Sequence, residues 1–156
     1  MKLTLENLPE SLKKELSPVY LISSNEPLLS MRAIDQIRGF ATSKGFVERR
    51  LYTIGPRFDW SIIEADLNNL SLFSSQKIIE IRIGSESVGI NGSNAIKKLL
   101  EKLNQDTLLL ISSDKIDFKF KFSEDKIEFS IARLDKIINF SLLNGCLLYT
   151  SPSPRD

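Results

Sequence analysis

The chain reads as an α/β domain: a three-layer structure in which a mainly parallel sheet carries helices on both faces. Three observations predict it. Apolar runs of strand length alternate with segments whose apolar residues recur every three or four positions, the pattern of strands joined by crossover helices. Two of the runs, "VYLIS" (19–23) and "TLLLIS" (107–112), are apolar almost without interruption, which suits adjacent central strands covered on both faces. The 156 residues, 42% hydrophobic and 26% charged, are enough for one domain with a real core.

Residues 4–16 suit a short amphipathic helix stopped before Pro18, and the first apolar strand follows. In "SNEP", Asn25 is placed to cap a helix with Pro27 in its first turn. That helix carries Leu28, Met31, Ile34, Ile37 and Ala41 at helical spacing, and Gly45 suits its end. "VERRLYTI" (47–54) is a second strand, closed by Gly55-Pro56. Asp59 then caps a helix whose inner face is Trp60, Ile63, Leu67 and Leu70. "KIIEIRI" (77–83) sets Ile79, Ile81 and Ile83 on one side and Glu80 and Arg82 on the other, an alternation that predicts a half-exposed strand near a sheet edge. A glycine-bearing loop, 84–92, leads to an amphipathic helix from about Ser93, and the second apolar strand follows. After Asp117, "FKFKF" alternates like a strand and 127–143 has the composition of a helix. "LLYTSPSPRD" has lost all periodicity and reads as translated foreign sequence. The division expected is a domain over 1–117, a poorly matched continuation over 118–146, and a non-native or disordered tail over 147–156.

Composition excludes several functions. Lys and Arg total 21 against 20 Asp and Glu, a net charge of +1, so no global basic field makes nucleic acid a default partner. The absence of histidine removes Ser-His-Asp and Cys-His catalysis, histidine bases and Cys/His zinc sites. One cysteine, Cys146, forbids an internal disulfide and fits a reducing cytoplasm. No apolar run approaches the roughly 20 residues that span a bilayer, and "MKLTLENLPESLKKEL" has no apolar signal region. Carboxylate enzymes remain open, but no acidic pair stands at a telling spacing, so the expectation leans towards a cytoplasmic protein without a catalytic site, cofactor or metal of its own.

Two motifs ask for a decision. Gly84-Ser-Glu-Ser-Val-Gly89 begins like a Walker A loop, but Ile90 and Asn91 stand where Lys and Ser or Thr would reach the phosphates and Mg²⁺. A phosphate loop belongs after the first strand, where "SSNEPLL" has neither glycine nor lysine. Neither stretch is expected to bind a nucleotide. The second motif is "NNLSLFSSQ" (68–76). A link that only turned the chain would favour Gly, Asn, Asp or Ser, yet it carries Leu72 and Phe73. Continuing the preceding helix at about 100° per residue puts Phe73 roughly 100° and Leu72 about 160° from its inner face. Two readings remain open from the residues alone: a satellite apolar cluster made by a turn after Ser71, or an apolar plug presented to a partner's pocket.

The ordered blocks "PVYLISSNEPLLSMRAIDQIRGFATSKGFVERRLYTI", "FDWSIIEADLNNLSLFSSQKIIEIRI" and "TLLLISSDKID" resemble the delta subunit of the bacterial DNA polymerase III clamp loader, over about residues 1–117. The resemblance implies a fold like an AAA+ core without a working nucleotide site. It implies a DNA-replication role as a component of a DNA-directed DNA polymerase holoenzyme, with ATP handled by other subunits. It implies that Leu72 and Phe73, positioned by Ser71, enter a hydrophobic pocket on the sliding clamp (beta) and help open the ring. The partners implied are that clamp, the other clamp-loader subunits and, through the complex, DNA; no membrane is implied. The chain departs from the family after Asp117, where the pattern fades and the collar domain is missing, so it resembles a truncated delta. The rival readings are a nucleotide-binding α/β enzyme or switch, and a DNA-binding module.

Overall fold

The computed structural model describes residues 2–24, 26–69, 76–84, 88–114, 119–123, 126–130 and 147–150. Along the chain run β1 (Lys2–Leu3), α1 (Leu8–Lys14), β2 (Val19–Ser23), α2 (Pro27–Ser43), β3 (Glu48–Ile54), α3 (Ser61–Asn68), β4 (Lys77–Ile83), α4 (Gly89–Glu101), β5 (Thr107–Ser113), β6 (Lys119–Ser123), β7 (Lys126–Ser130) and β8 (Leu147–Thr150). The main sheet has the order β1-β8-β2-β5-β4-β3. Strands β2, β5, β4 and β3 are mutually parallel; β8 adds antiparallel to β2, and β1 antiparallel to β8. β6 and β7 form a separate antiparallel pair.

The two unbroken apolar runs are neighbours in the sheet interior, Val19 opposite Leu109 and Leu21 opposite Ile111. Their side chains alternate between two cores. On one face Tyr20, Ile22, Leu108, Leu110 and Ile78 meet Leu8 and Leu12 of α1 and Ala33, Ile34, Ile37 and Ala41 of α2. On the other, Leu21, Leu109, Ile111, Ile79, Ile81 and Ile83 meet Ile63 and Leu67 of α3 and Ile96 and Leu99 of α4. This partition follows from the strand order. The connection from β2 to β3 runs one way across the sheet and those from β3 to β4 to β5 run back. With right-handed crossovers, α2 lies on one face and α3 and α4 on the other. Each aliphatic side chain closed off in these layers contributes on the order of 1.5–3 kcal/mol.

Several boundaries differ from the sequence reading. The first helix spans 8–14 rather than 4–16, because Thr4 O already accepts the amides of Asn7 and Leu8 in a turn and Glu15 is extended. Asn25 lies outside the described residues; Glu26 holds the N-cap position of α2, with Pro27 starting the helix. Gly45 does end α2, at φ 104°, while the Phe46 amide reaches back to Ala41 O in the manner of a glycine-terminated helix. Asp59 acts one residue earlier than a cap of α3. Its Oδ1 accepts the Ser61 amide at 3.0 Å and the Ser61 hydroxyl at 2.6 Å, while Trp60 occupies the N-cap position. Those bonds favour the ionised carboxylate and lower the Asp59 pKa from its ordinary value.

α4 starts at Gly89, four residues before Ser93, so the second half of the glycine-bearing stretch is helix rather than loop. Gly92 is required there. A Cβ on it would stand 3.0 Å from the Trp60 ring and 2.8 Å from Val88 Cβ. Trp60 in turn meets Phe58 edge-to-face at 5.5 Å, and Phe58 meets Tyr52 at 6.4 Å, an aromatic run that closes the end of the second core.

The expectation that 77–83 lies near an edge is overturned. β4 is paired on both sides, by β3 and β5, and β3 is the edge strand. Its alternation reflects ion pairing instead of solvent: Glu80 is 0% exposed, and Arg49 and Arg82 grip its two carboxylate oxygens. The helix expected over 127–143 is a strand over 126–130, and the rest of that stretch lies outside the described residues. In the tail read as aperiodic, Leu147–Thr150 forms β8.

Candidate functional site

Ser71, Leu72 and Phe73 lie outside the described residues, as do Leu70 and 74–75. The structure describes the two ends from which this segment departs. α3 stops at Asn68, and Asn69 is extended at φ −75° and ψ 130°, so projecting the helix forward through 72 and 73 has no basis beyond that residue. Three carbonyls near the end of α3 converge on one buried cation. Lys77, 6% exposed, opens β4 and sends its ammonium to Asp66 O, to Leu67 O at 3.4 Å and to Asn69 O at 2.5 Å.

The physical logic is that of a helix C-terminus. Its last carbonyls have no partners within the helix and carry partial negative charge, so a cation there satisfies them and opposes the dipole. Lys77 stays in place because its backbone is locked in the sheet, its amide donating to Asp106 O at 2.9 Å. Asn69 and Lys77 are therefore held together on either side of the link. Around this base Tyr52 hydrogen-bonds to Asp66, and Lys102 at the end of α4 pairs with Glu64 of α3. That lysine lowers the Glu64 pKa, first through the hydrogen bond and then through its charge.

Sequence reasoning missed Lys77. No side-chain pattern marks it: it is one of three charged residues in β4, and its acceptors are backbone carbonyls. Lys77→Met keeps the side-chain length and removes the donor, leaving partly buried carbonyls unpaired at about 1–3 kcal/mol for such groups. We expect a fall in melting temperature of about 4–8 °C for about 2 kcal/mol, with faster amide exchange in the last turn of α3. Unchanged melting and exchange would show that the ammonium does not hold this junction.

At the opposite, carboxyl end of the strands, the position after β2 carries Ser24 and Glu26. Ser24 Oγ accepts the Glu26 amide at 3.0 Å and donates to Glu26 O at 3.2 Å. A carboxylate-bearing residue and a proline thus open α2 where a phosphate-binding turn would offer backbone amides. Of the second stretch, 84–92, residues 85–87 lie outside the described residues. Among the described residues no group of three or more Cys, Asp or Glu is arranged to hold a metal ion, and no helix is long and apolar enough to cross a membrane.

A family model described as "DNA polymerase III, delta subunit" matches residues 20–136, beyond the 117 to which the resemblance was read. The chain is 28% identical over 116 residues to DNA polymerase III subunit delta of Escherichia coli K12, covering 74% of this chain and 34% of that protein. It is 26% identical over 111 residues to the Haemophilus influenzae subunit of the same name, covering 71% of this chain and 32% of that one. The chain thus spans about a third of the length of these curated relatives. Among solved structures, the Bacillus subtilis DNA clamp loader delta protein superposes with a TM-score of 0.55 at 15% identity, over 71% of this chain and 35% of that one, a likeness that shows the fold.

Proposed function

The chain belongs to the DNA polymerase III delta subunit family, and from that premise we propose that it binds the sliding clamp through Leu72 and Phe73, positioned by Ser71, and helps open the ring. The observation that carries this reading is the family match across 20–136, which runs through the link containing these residues. The pinned base at Asn69 and Lys77 supports it, because a segment with fixed ends presents its side chains at lower entropic cost than a free one.

The action is mechanical. Two large apolar side chains entering a pocket supply affinity of order 1.5–3 kcal/mol each. A clamp with one interface sprung offers that pocket in a better-fitting form, so binding shifts the ring population towards the open state. No nucleotide chemistry is needed at this subunit, and Glu26 at the start of α2 would repel a phosphate there. The chain thus acts as a non-catalytic component of the polymerase holoenzyme, with the other clamp-loader subunits as further partners, DNA reached through the complex, and the cytoplasm as its compartment.

Surface binding to the sliding clamp of the same organism, paired with calorimetry against ATP, tests this. Saturable clamp binding at micromolar concentration is expected, with no saturable ATP binding below millimolar. ATP binding without clamp binding would favour a nucleotide switch. Salt-sensitive binding to DNA alone would favour a nucleic-acid module.

A further inference from the structure

The geometry points to a second docking surface, the α2-side face of β3 and β4, built to receive a partner protein's apolar side chain flanked by carboxylates. In this parallel pair, register partners share a face, so Arg49, Leu51 and Thr53 of β3 lie beside Ile78, Glu80 and Arg82 of β4. α2 packs on β2 and β5. Towards the β3 edge the face stays open: Leu51 is 43% exposed, and the side chains of Arg49 and Arg82 are 32% and 44% exposed.

Glu80 at the centre is closed from solvent and organises the patch. Arg49 sends Nε and Nη2 to Glu80 Oε2 at 2.8 and 2.7 Å. Arg82 sends Nε and Nη2 to Oε1, both at 2.8 Å. Each guanidinium is thereby fixed by a two-point fork, with its Nη1 edge turned away from Glu80. The three groups sum to one positive charge. The negative member is buried and the positive members are partly open, so an approaching surface meets two arginines around Leu51.

Arginines held in advance lose little rotamer freedom on binding, and an apolar centre with arginine at its margin is the composition of protein interfaces. Charge complementarity selects carboxylates on the partner. A nucleic acid fits less well, since β3's other cation, Arg50, is turned to the opposite face and paired with Glu48, and the chain as a whole carries only +1. This inference is independent of the Leu72–Phe73 reading.

The test uses the full chain and a fluorescent helical peptide carrying glutamates on either side of a leucine. Its controls are the same peptide with glutamine for glutamate and a 20-base-pair DNA duplex. Expected are amide chemical-shift changes centred on 49–53 and 80–83, with at least tenfold weaker binding of the glutamine peptide. Leu51→Ser removes the apolar centre without adding a charge beside Arg49 and Arg82, and should weaken the acidic peptide at least tenfold with melting unchanged. Leu51→Asn, which likewise adds no charge, serves if Leu51→Ser does not fold. Equal affinity for the two peptides, shifts centred elsewhere, or DNA displacing the peptide from these residues would overturn the assignment.

Discussion

Glu80→Ala should lower the melting temperature by roughly 6–12 °C, the largest stability effect expected of a single polar substitution among the described residues. Glu80 is 0% exposed and accepts four charge-assisted bonds, two from each of Arg49 and Arg82. Removing one partner of a buried pair typically costs about 3–5 kcal/mol, because the remaining charge is stranded. Here the stranded groups are two arginines that are 32% and 44% exposed and can turn towards water, so the lower end, about 3 kcal/mol, applies. At about 2–4 °C per kcal/mol for a chain of this size, that gives the stated range. Arg49→Gln should cost less than Glu80→Ala, since Arg82 still neutralises the carboxylate. It should also loosen β3, which as the edge strand is held in the sheet only by its pairing with β4. Thermal unfolding of both variants, with amide exchange along 48–54, measures this. A shift under 2 °C for Glu80→Ala would mean the carboxylate is not held as described.

Glu80 also marks where sequence reading stops. The strands at 19–23 and 107–113 were legible because an unbroken apolar run leaves few options but burial on both faces. The α2 face was legible from Ile34, Ile37 and Ala41, though Leu28 and Met31, read onto the same face, are 66% and 56% exposed. Its end was legible from Gly45, whose φ of 104° glycine adopts without strain. "KIIEIRI" gave the strand but the wrong environment. Alternating polar residues look the same whether water or a counter-ion meets them, and the counter-ion Arg49 lies 31 residues away. Lys77 was illegible for a related reason, since its three acceptors are backbone carbonyls that leave no mark in side-chain pattern. β8 was missed because four residues are too few to show a period, and its partner β2 lies more than a hundred residues earlier. The candidate site was raised by a misfit of residue type, Leu72 and Phe73 among serines. The residues alone left a satellite cluster and a plug both open, and the resemblance to the delta subunit chose the plug.

Replacing both Leu72 and Phe73 by alanine should leave folding nearly unchanged and reduce clamp affinity by several kcal/mol. If the two side chains are anchors presented to the clamp, no core contact is lost, and surface changes usually stay within about 0.5 kcal/mol of stability. Anchor truncations typically cost about 2 kcal/mol or more each, so the pair should lower affinity by three orders of magnitude or more. A satellite cluster predicts the reverse, with each truncation costing roughly 2–5 kcal/mol of stability through lost burial and a cavity. Clamp binding would then fall only in proportion to the folded fraction. Lys77→Met separates the base from the tip. It removes the cation that joins Asn69 O to β4 while leaving both anchors in the chain, so clamp affinity should fall by far less than in the double variant. Thermal unfolding and clamp binding, measured side by side on the two variants, distinguish these outcomes. A large drop in melting temperature for the double variant, with clamp affinity of its folded fraction intact, would sink the plug.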